Sequence, residues 1–223
     1  MSVYINLIDV GAYGGLSEVW IIHHYAIAKL LLIDPRFNPM VESKCGGLLE
    51  ILPFAISDIE GKTNFYQYEK QACNSIFRIK DNPESIMGPG DYSRFKLQKI
   101  TTVNCVRLDT IISKQSNSFD FLKVDTQGND LNVVKSMGDY LKDLVGIQVE
   151  LYLKSVYQDA PMFEDAHEFL SNHGFTCFGA IRKANKIFND FVYLQLGSTK
   201  VQKLELIKKF FGVTDESIPY TKP

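Results

Sequence analysis

The stretch Leu7-Ile8-Asp9-Val10-Gly11-Ala12-Tyr13-Gly14-Gly15 decides how the rest of the chain is read. The apolar run from Val3 to Ile8 predicts a buried strand. An acid and glycines follow, and Leu16 to about Lys29 is compatible with a helix. A strand that turns through glycines into a helix lets backbone approach a nucleotide-like ligand, and the helix start offers unpaired N–H groups to an anionic end. Dinucleotide enzymes prefer G-x-G-x-x-G. Here the order is acid, x, Gly, x, x, x, Gly, with Asp9 ahead of Gly11.

Working outward, Leu30-Leu31-Leu32-Ile33 predicts a second buried strand ending at Asp34-Pro35. A carboxylate at that strand end can accept from both hydroxyls of a ribose. Leu48 to Ile56 predicts a third strand, followed by a turn over Ser57-Asp58-Ile59-Glu60-Gly61-Lys62 and a strand-like Thr63 to Tyr68. Residues 70–97 are irregular, with Pro83, Pro89 and Gly88-Pro89-Gly90; an insert of this length predicts a functional loop or lid. Lys99 to Val106 alternates as a strand does, and Arg107 to Ile112 begins a short helix.

Phe119 to Val124 predicts a buried strand ending at Asp125, and the turn Thr126-Gln127-Gly128-Asn129-Asp130 leads into a helix. Leu144 to Val149 is the next strand, ending at Glu150. Met162 to Asn172 is amphipathic and closed by Gly174. Phe175–Ile181 and Asp190–Leu196 form an antiparallel hairpin, and 200–211 is a Lys-rich amphipathic helix expected to pack on the body with a solvated basic face. His23 and His24 are expected to be helix-end imidazoles rather than catalysts.

Length and composition exclude several classes. At 223 residues the expectation is one domain spanning 1–223, with enough chain for a proper core. A net charge of −2 gives no electrostatic case for nucleic acid. No apolar stretch approaches the ~20 residues of a membrane span, and Asp9 interrupts the first apolar run, so no signal peptide is expected. Cys45, Cys73, Cys105 and Cys177 are widely spread, which points away from a zinc site and toward reduced thiols in a cytoplasmic protein.

Six segments occur in order: Asp9-Val-Gly-Ala-x-x-Gly15, Ile33-Asp34-Pro35, Ala55-Ile56-Ser57-Asp58-x-x-Gly61, Leu108-Asp109, Phe121-Leu-Lys-Val-Asp125-x-x-Gly128-x-Asp130, and Val149-Glu150. Together they resemble the FkbM-type methyltransferases that use S-adenosylmethionine (SAM), over roughly Leu7 to Leu196. Asp34 and Asp130 stand where the family commonly has Glu, and Tyr13 where it usually has Asn. The chain also begins directly at the first strand, without the segment that precedes it in many members. The resemblance implies a Rossmann-like class I α/β fold: a seven-stranded, mostly parallel sheet with helices on both faces and a C-terminal antiparallel hairpin. Right-handed crossovers would bring the first and fourth strand ends together at the cofactor crevice.

The resemblance also implies roles. Gly11, Ala12, Tyr13 and Gly15 pass under the amino-acid end of SAM, with N–H groups as far as Ser17 meeting its carboxylate. Asp9 orients the loop or accepts from the ammonium; Asp34 takes the ribose, Pro35 is a further cofactor-binding residue, and Ser57 and Asp58 lie near the adenine. Asp125 and Glu150, at C-terminal strand ends, are the expected catalytic carboxylates, and Asp125 is also a possible SAM contact. No metal site is assigned, although Asp125, Asp130 and Glu150 could hold Mg²⁺. Lys123 is expected to make a structural pairing. The implied reaction is O-methylation of a small-molecule or glycan acceptor, a sugar hydroxyl first. The alternative is a SAM-binding or inactive module of a glycan-assembly system. A nicotinamide dehydrogenase is disfavoured by the acid before Gly11 and by the terminal hairpin.

Overall fold

The first strand sits at the middle of the main sheet, and both of its neighbours are parallel to it. In a computed structural model, which describes residues 2–36, 46–87, 92–116, 118–180, 186–214 and 217, β1 (Ile5–Val10) pairs with β2 (Ile27–Ile33) on one side and β7 (Phe121–Val124) on the other. β3 (Leu48–Leu52) continues beyond β2, and β8 (Gly146–Tyr152) beyond β7, all parallel. The sheet closes with β9 (Thr176–Ala180) and β10 (Phe188–Leu194). β10 runs antiparallel to both β8 and β9, so the full order is β3-β2-β1-β7-β8-β10-β9. The basic turn expected between β9 and β10 lies largely outside the described residues.

The central strands are mostly apolar because both faces are covered, as a parallel sheet requires, with Asp9, Lys29, Lys123, Gln148 and Glu150 as buried polar exceptions. Ile8, Val10, Leu31, Ile33, Leu122, Val124, Ile147 and Val149 bury one face against α3 (Leu108–Ile112), α4 (Asp130–Lys135) and α5 (Phe163–Asn172). Ile5, Leu7, Leu30, Leu32 and Phe121 bury the other against α1 (Glu18–Ile22) and α6 (Val201–Phe210). Trp20 of α1 is fully buried, 4.9 Å from the Phe121 ring and 6.0 Å from that of Phe210. His23 stacks on Phe210 at 3.9 Å, and His24 Nδ1 lies 2.8 Å from the Ile21 carbonyl oxygen. The basic face of α6 is only partly solvated. Lys203 Nζ reaches buried Asp120 at 2.6 Å, and Lys200 Nζ, just ahead of the helix, reaches it at 2.9 Å.

Two expectations are corrected. The segment 16–29 is not one helix: α1 spans five residues, a 3-10 turn covers His24–Ala26, and Ile27 already pairs opposite Ile5. Burying Ile27 in the ladder outweighs helical spacing, because propensity is a weak prior against tertiary contacts. The third strand is split at Pro53, which has no N–H to donate to a ladder. Beyond it, β4 (Ala55–Ile56) pairs parallel with Cys105 and Val106. That pairing belongs to a separate three-stranded sheet, β4-β6-β5, formed with β5 (Gly61–Tyr68) and β6 (Leu97–Val106). Between β5 and β6 lie a 3-10 turn at Gln71–Cys73 and α2 (Glu84–Met87); residues 88–91 of the expected lid fall outside the described ones.

Among the described residues, no helix is long and apolar enough to cross a membrane.

Candidate active site

The chain leaves β1 for β2 and β3 in one direction and reaches β7 and β8 in the other. Ligands of open α/β sheets bind at that reversal, outside the carboxyl ends of the strands. A cavity of about 380 Å³ lies there, walled by the ends of β1 (Val10, Gly11), β2 (Ile33, Asp34) and β7 (Asp125). Gly11 N–H donates to Ile33 O at 2.9 Å, and Asp125 N–H to Val10 O at 3.0 Å, so the three strand ends are tied together. Gly11 has φ +86°, and a Cβ on it would fall 1.9 Å from the Asp125 carbonyl oxygen. The glycine is needed for that close approach. Gly14 has open space where its Cβ would be, which leaves backbone facing the cavity.

Of the residues expected to hold a cofactor, Gly11, Tyr13, Asp34, Pro35 and Asp125 line this cavity. Asp9, Ala12, Gly15, Ser17, Ser57 and Asp58 do not. Asp9 is fully buried and points at Lys123, whose Nζ lies 3.0 Å from its Oδ1. Burial pushes the Asp9 carboxyl up to about 6, against the pull of the ammonium. Asp9, together with Asp125, pushes the Lys123 ammonium up despite its burial. Ala12 belongs to the core beside Leu16 and Trp20. The Gly15 N–H closes a turn onto Ala12 O at 2.9 Å, and Ser17 Oγ is buried without a partner. Ser57 is buried at the cavity's rear. Its hydroxyl lies 3.1 Å from Asn129 Oδ1 and 3.2 Å from exposed Asp58. Asn129 does line the cavity and donates from Nδ2 to Ile56 O at 2.6 Å.

Asp34 is buried and already paired. Its Oδ1 accepts from Arg36 N–H at 2.7 Å and Nε at 3.2 Å, and its Oδ2 from Arg36 Nη2 at 3.2 Å. Three of roughly four lone-pair sites are taken. Arg36 also has partners elsewhere: its guanidinium lies 4.2 Å over the Tyr13 ring and donates to Gln71 O at 2.8 Å. It can therefore release a site on Asp34 without losing all its contacts. Sequence reasoning missed Arg36, although it follows Asp34-Pro35 directly.

Gln127 was also missed, being read only as part of a turn. Its Nε2 donates to Asp125 Oδ1 at 2.9 Å and to Glu150 Oε2 at 2.8 Å, one amide holding two carboxylates. The hydroxyls of Tyr152 and Tyr157 reach its Oε1 at 3.1 and 3.2 Å. Its backbone sits at φ +59°, a left-handed conformation rare outside glycine. The carboxylates it joins are not equivalent. The Asp125 side chain is 37% exposed and lines the cavity. Glu150 is buried and does not; burial first, then the charges of Asp125, Asp130 and Asp190, push its carboxyl well above the usual range.

Asp130 opens α4 as a turn anchor, accepting from Thr126 N–H at 2.8 Å and Gly128 N–H at 2.9 Å. Burial raises it to about 7 in spite of those donors. Among the described residues, no group of three or more His, Cys, Asp or Glu side chains gathers as a metal site. Asp125, Asp130 and Glu150 do not converge as Mg²⁺ ligands would.

The donor set suits an adenosyl cofactor. Val10, Ile33, Phe54, Ile56 and Phe65 give apolar walls for a purine, Asp34 an acceptor for ribose hydroxyls, and Gly11 and Gly14 bare backbone toward Asp125. The volume lies within the range of small-molecule sites, about 300–1,000 Å³.

The family model described as the methyltransferase FkbM domain matches residues 9–177. Neither the curated proteins nor the solved structures gave a match.

Proposed function

The chain belongs to the FkbM methyltransferase family, and from that premise we propose that it transfers the methyl group of SAM to a hydroxyl oxygen of a sugar or glycan precursor. The observation that carries this reading is the cavity running over Gly11 from Asp34 at the end of β2 to Asp125 at the end of β7. When bound, SAM supplies a methyl carbon on a sulfonium, open to in-line displacement by oxygen. The chain's own part is to hold that group, aim the hydroxyl and take its proton.

Asp34 would accept from the ribose, with Arg36 yielding one of its contacts. Asn129, Ala55 and Ile56 form the wall nearest Ser57 and would bound the adenine. Asp125 is the carboxylate at the cavity that can take the acceptor's proton. Gln127 holds one Asp125 oxygen at 2.9 Å, which leaves the other, Oδ2, for the acceptor, 3.8 Å from Lys123 Nζ. Glu150 supports this arrangement through Gln127 from outside the cavity.

Labelled-methyl SAM with a panel of hydroxyl acceptors tests the proposal. Asp125→Asn should lower turnover by about 10²-fold or more while SAM affinity is kept, as loss of a general base does. Parental turnover in that variant would remove Asp125 from the chemistry. Binding of SAM by the parent with no transfer to any acceptor would favour a binding module instead.

A further inference from the structure

A second cavity of about 380 Å³ adjoins the first, and Tyr13, Arg36, Gln71 and Asn74 line both. The remaining walls come from the three-stranded sheet: Gln67, Tyr68 and Glu69 from β5 and its end, and Gln98 from β6. A regular strand sends neighbouring side chains to opposite faces. The β5–β6 register slips between Gln67 and Tyr68, and such a bulge re-aims side chains. Gln98 of β6 is the residue left unpaired there, and it lines the space with Gln67 and Glu69, while the Tyr68 ring packs behind the wall in the buried cluster with Ile79, Tyr152 and Tyr157.

We propose that this cavity holds the acceptor and that its ligand is a neutral sugar ring; the inference rests on the methyl-transfer reading above. The lining is rich in amides, namely Gln67, Gln71, Asn74 and Gln98. An amide carries both donors and an acceptor, which matches hydroxyls that donate and accept at once. Bonds within the protein use one end of three of these side chains. Gln98 Nε2 donates to Glu69 Oε2 at 2.7 Å, Gln67 Nε2 to Thr101 Oγ1 at 2.9 Å, and Asn74 Oδ1 accepts from Tyr68 N–H at 2.7 Å. Among the described residues, no side-chain partner takes the opposite end of any of them, and that end is left for a ligand.

Arg36 is paired with Asp34, whereas Glu69 has only the neutral Gln98 amide, so the charge left on the lining is negative and disfavours an anionic ligand while admitting an uncharged one. Its aromatic residues are few. Tyr13 stands in the wall shared with the first cavity, and the Tyr68 hydroxyl accepts from Ile79 N–H at 2.7 Å. A flat phenolic acceptor would meet mostly amides here.

The test is saturation-transfer NMR of the whole chain with the methyl glycosides of glucose, galactose, mannose and rhamnose, run beside a titration with S-adenosylhomocysteine. At least one glycoside should bind. Gln98→Leu and Gln67→Leu, both on the second sheet, should each weaken it about tenfold or more while adenosylhomocysteine affinity changes less than about twofold. Thermal melts of both variants confirm that the fold is kept. Adenosylhomocysteine binding with no glycoside signal, or a glycoside signal untouched in both folded variants, overturns the proposal and leaves the methyltransferase reading intact. Glycoside binding lost in the variants, in a protein that ignores adenosylhomocysteine, keeps the sugar site and removes the methyltransferase reading.

Discussion

Replacing Gln127 by Leu should strike stability and turnover together, and the structure says where. Four contacts go at once. The loss at Asp125 is softened, because a side chain 37% exposed can take water in place of the amide. The loss at Tyr157 is small, because that hydroxyl has one proton and keeps Cys73 O at 3.0 Å. The cost falls on buried Glu150, which loses its 2.8 Å donor, and on the Tyr152 hydroxyl, which loses its 3.1 Å acceptor. One charge-assisted and one neutral hydrogen bond together contribute about 2–4.5 kcal/mol. For a chain of this length that is a fall in Tm of roughly 5–15 °C.

The pH dependence follows from Glu150, whose folded-state pKa is raised by burial. A carboxyl raised on folding loses stability as pH climbs from its unfolded value through its folded one, since the unfolded chain there binds fewer protons. The amide matters most to the ionised form. The Tm deficit of Gln127→Leu should therefore grow as pH rises through the raised folded-state pKa of Glu150 and shrink on acidification below it. Gln127→Gly loses the same contacts but relieves the left-handed backbone, and should fare better than Leu by about 1 kcal/mol. Circular-dichroism melts across pH, with turnover measured in parallel, supply the check. A Leu variant that melts with the parent, or a deficit that does not change with pH, would refute the bridging role.

Two further outcomes are expected. Asp34→Ala should raise the SAM dissociation constant about tenfold or more, since hydrogen bonds to a charged group are worth about 1.5–3 kcal/mol each; calorimetry on the folded variant showing parental affinity would sever β2 from the ribose. Lys123→Met should cost about 3–5 kcal/mol by leaving Asp9 buried without its counter-ion, so that it must protonate to stay folded, whereas Asp9→Leu/Lys123→Met should recover most of it. Because the Asp9 carboxyl is already raised to about 6, the Lys123→Met deficit should deepen as pH rises; denaturant melts of the single variant that show a deficit unchanged between acid and neutral pH would contradict this.

The strands at the middle of the main sheet were legible because their apolar runs are short, end in acids or glycines, and need no knowledge of partners. The turn from Asp9 to Gly15 announced the crevice, and the pairing of β1 with β7 brought Asp125 against Gly11 as right-handed crossovers require. The second sheet was not legible as a sheet. Alternation in 63–68 and 99–106 says that each segment has two faces but not which neighbours it takes, and Pro53 breaks an apolar run that otherwise reads as one strand. Helical spacing over 16–29 misled because Ile27 suits a ladder equally well. At the site, residues with a known pattern were placed on the right strand ends, yet the sequence could not tell which of them face the cavity. Asp9 and Glu150 sit one layer behind it, held by Lys123 and Gln127. Arg36 and Gln127 carry no motif; their roles come from distances alone. An Arg two residues beyond a strand-end acid, and a Gln before a glycine turn, are the faint signals that could have found them.

The central claim is that the crevice between β1, β2 and β7 holds an adenosyl sulfur ligand. Calorimetric titration of the parent protein with S-adenosylhomocysteine and, separately, with NAD tests it most directly. The account predicts one adenosylhomocysteine per chain and no heat with NAD; binding of NAD with none of adenosylhomocysteine would contradict it.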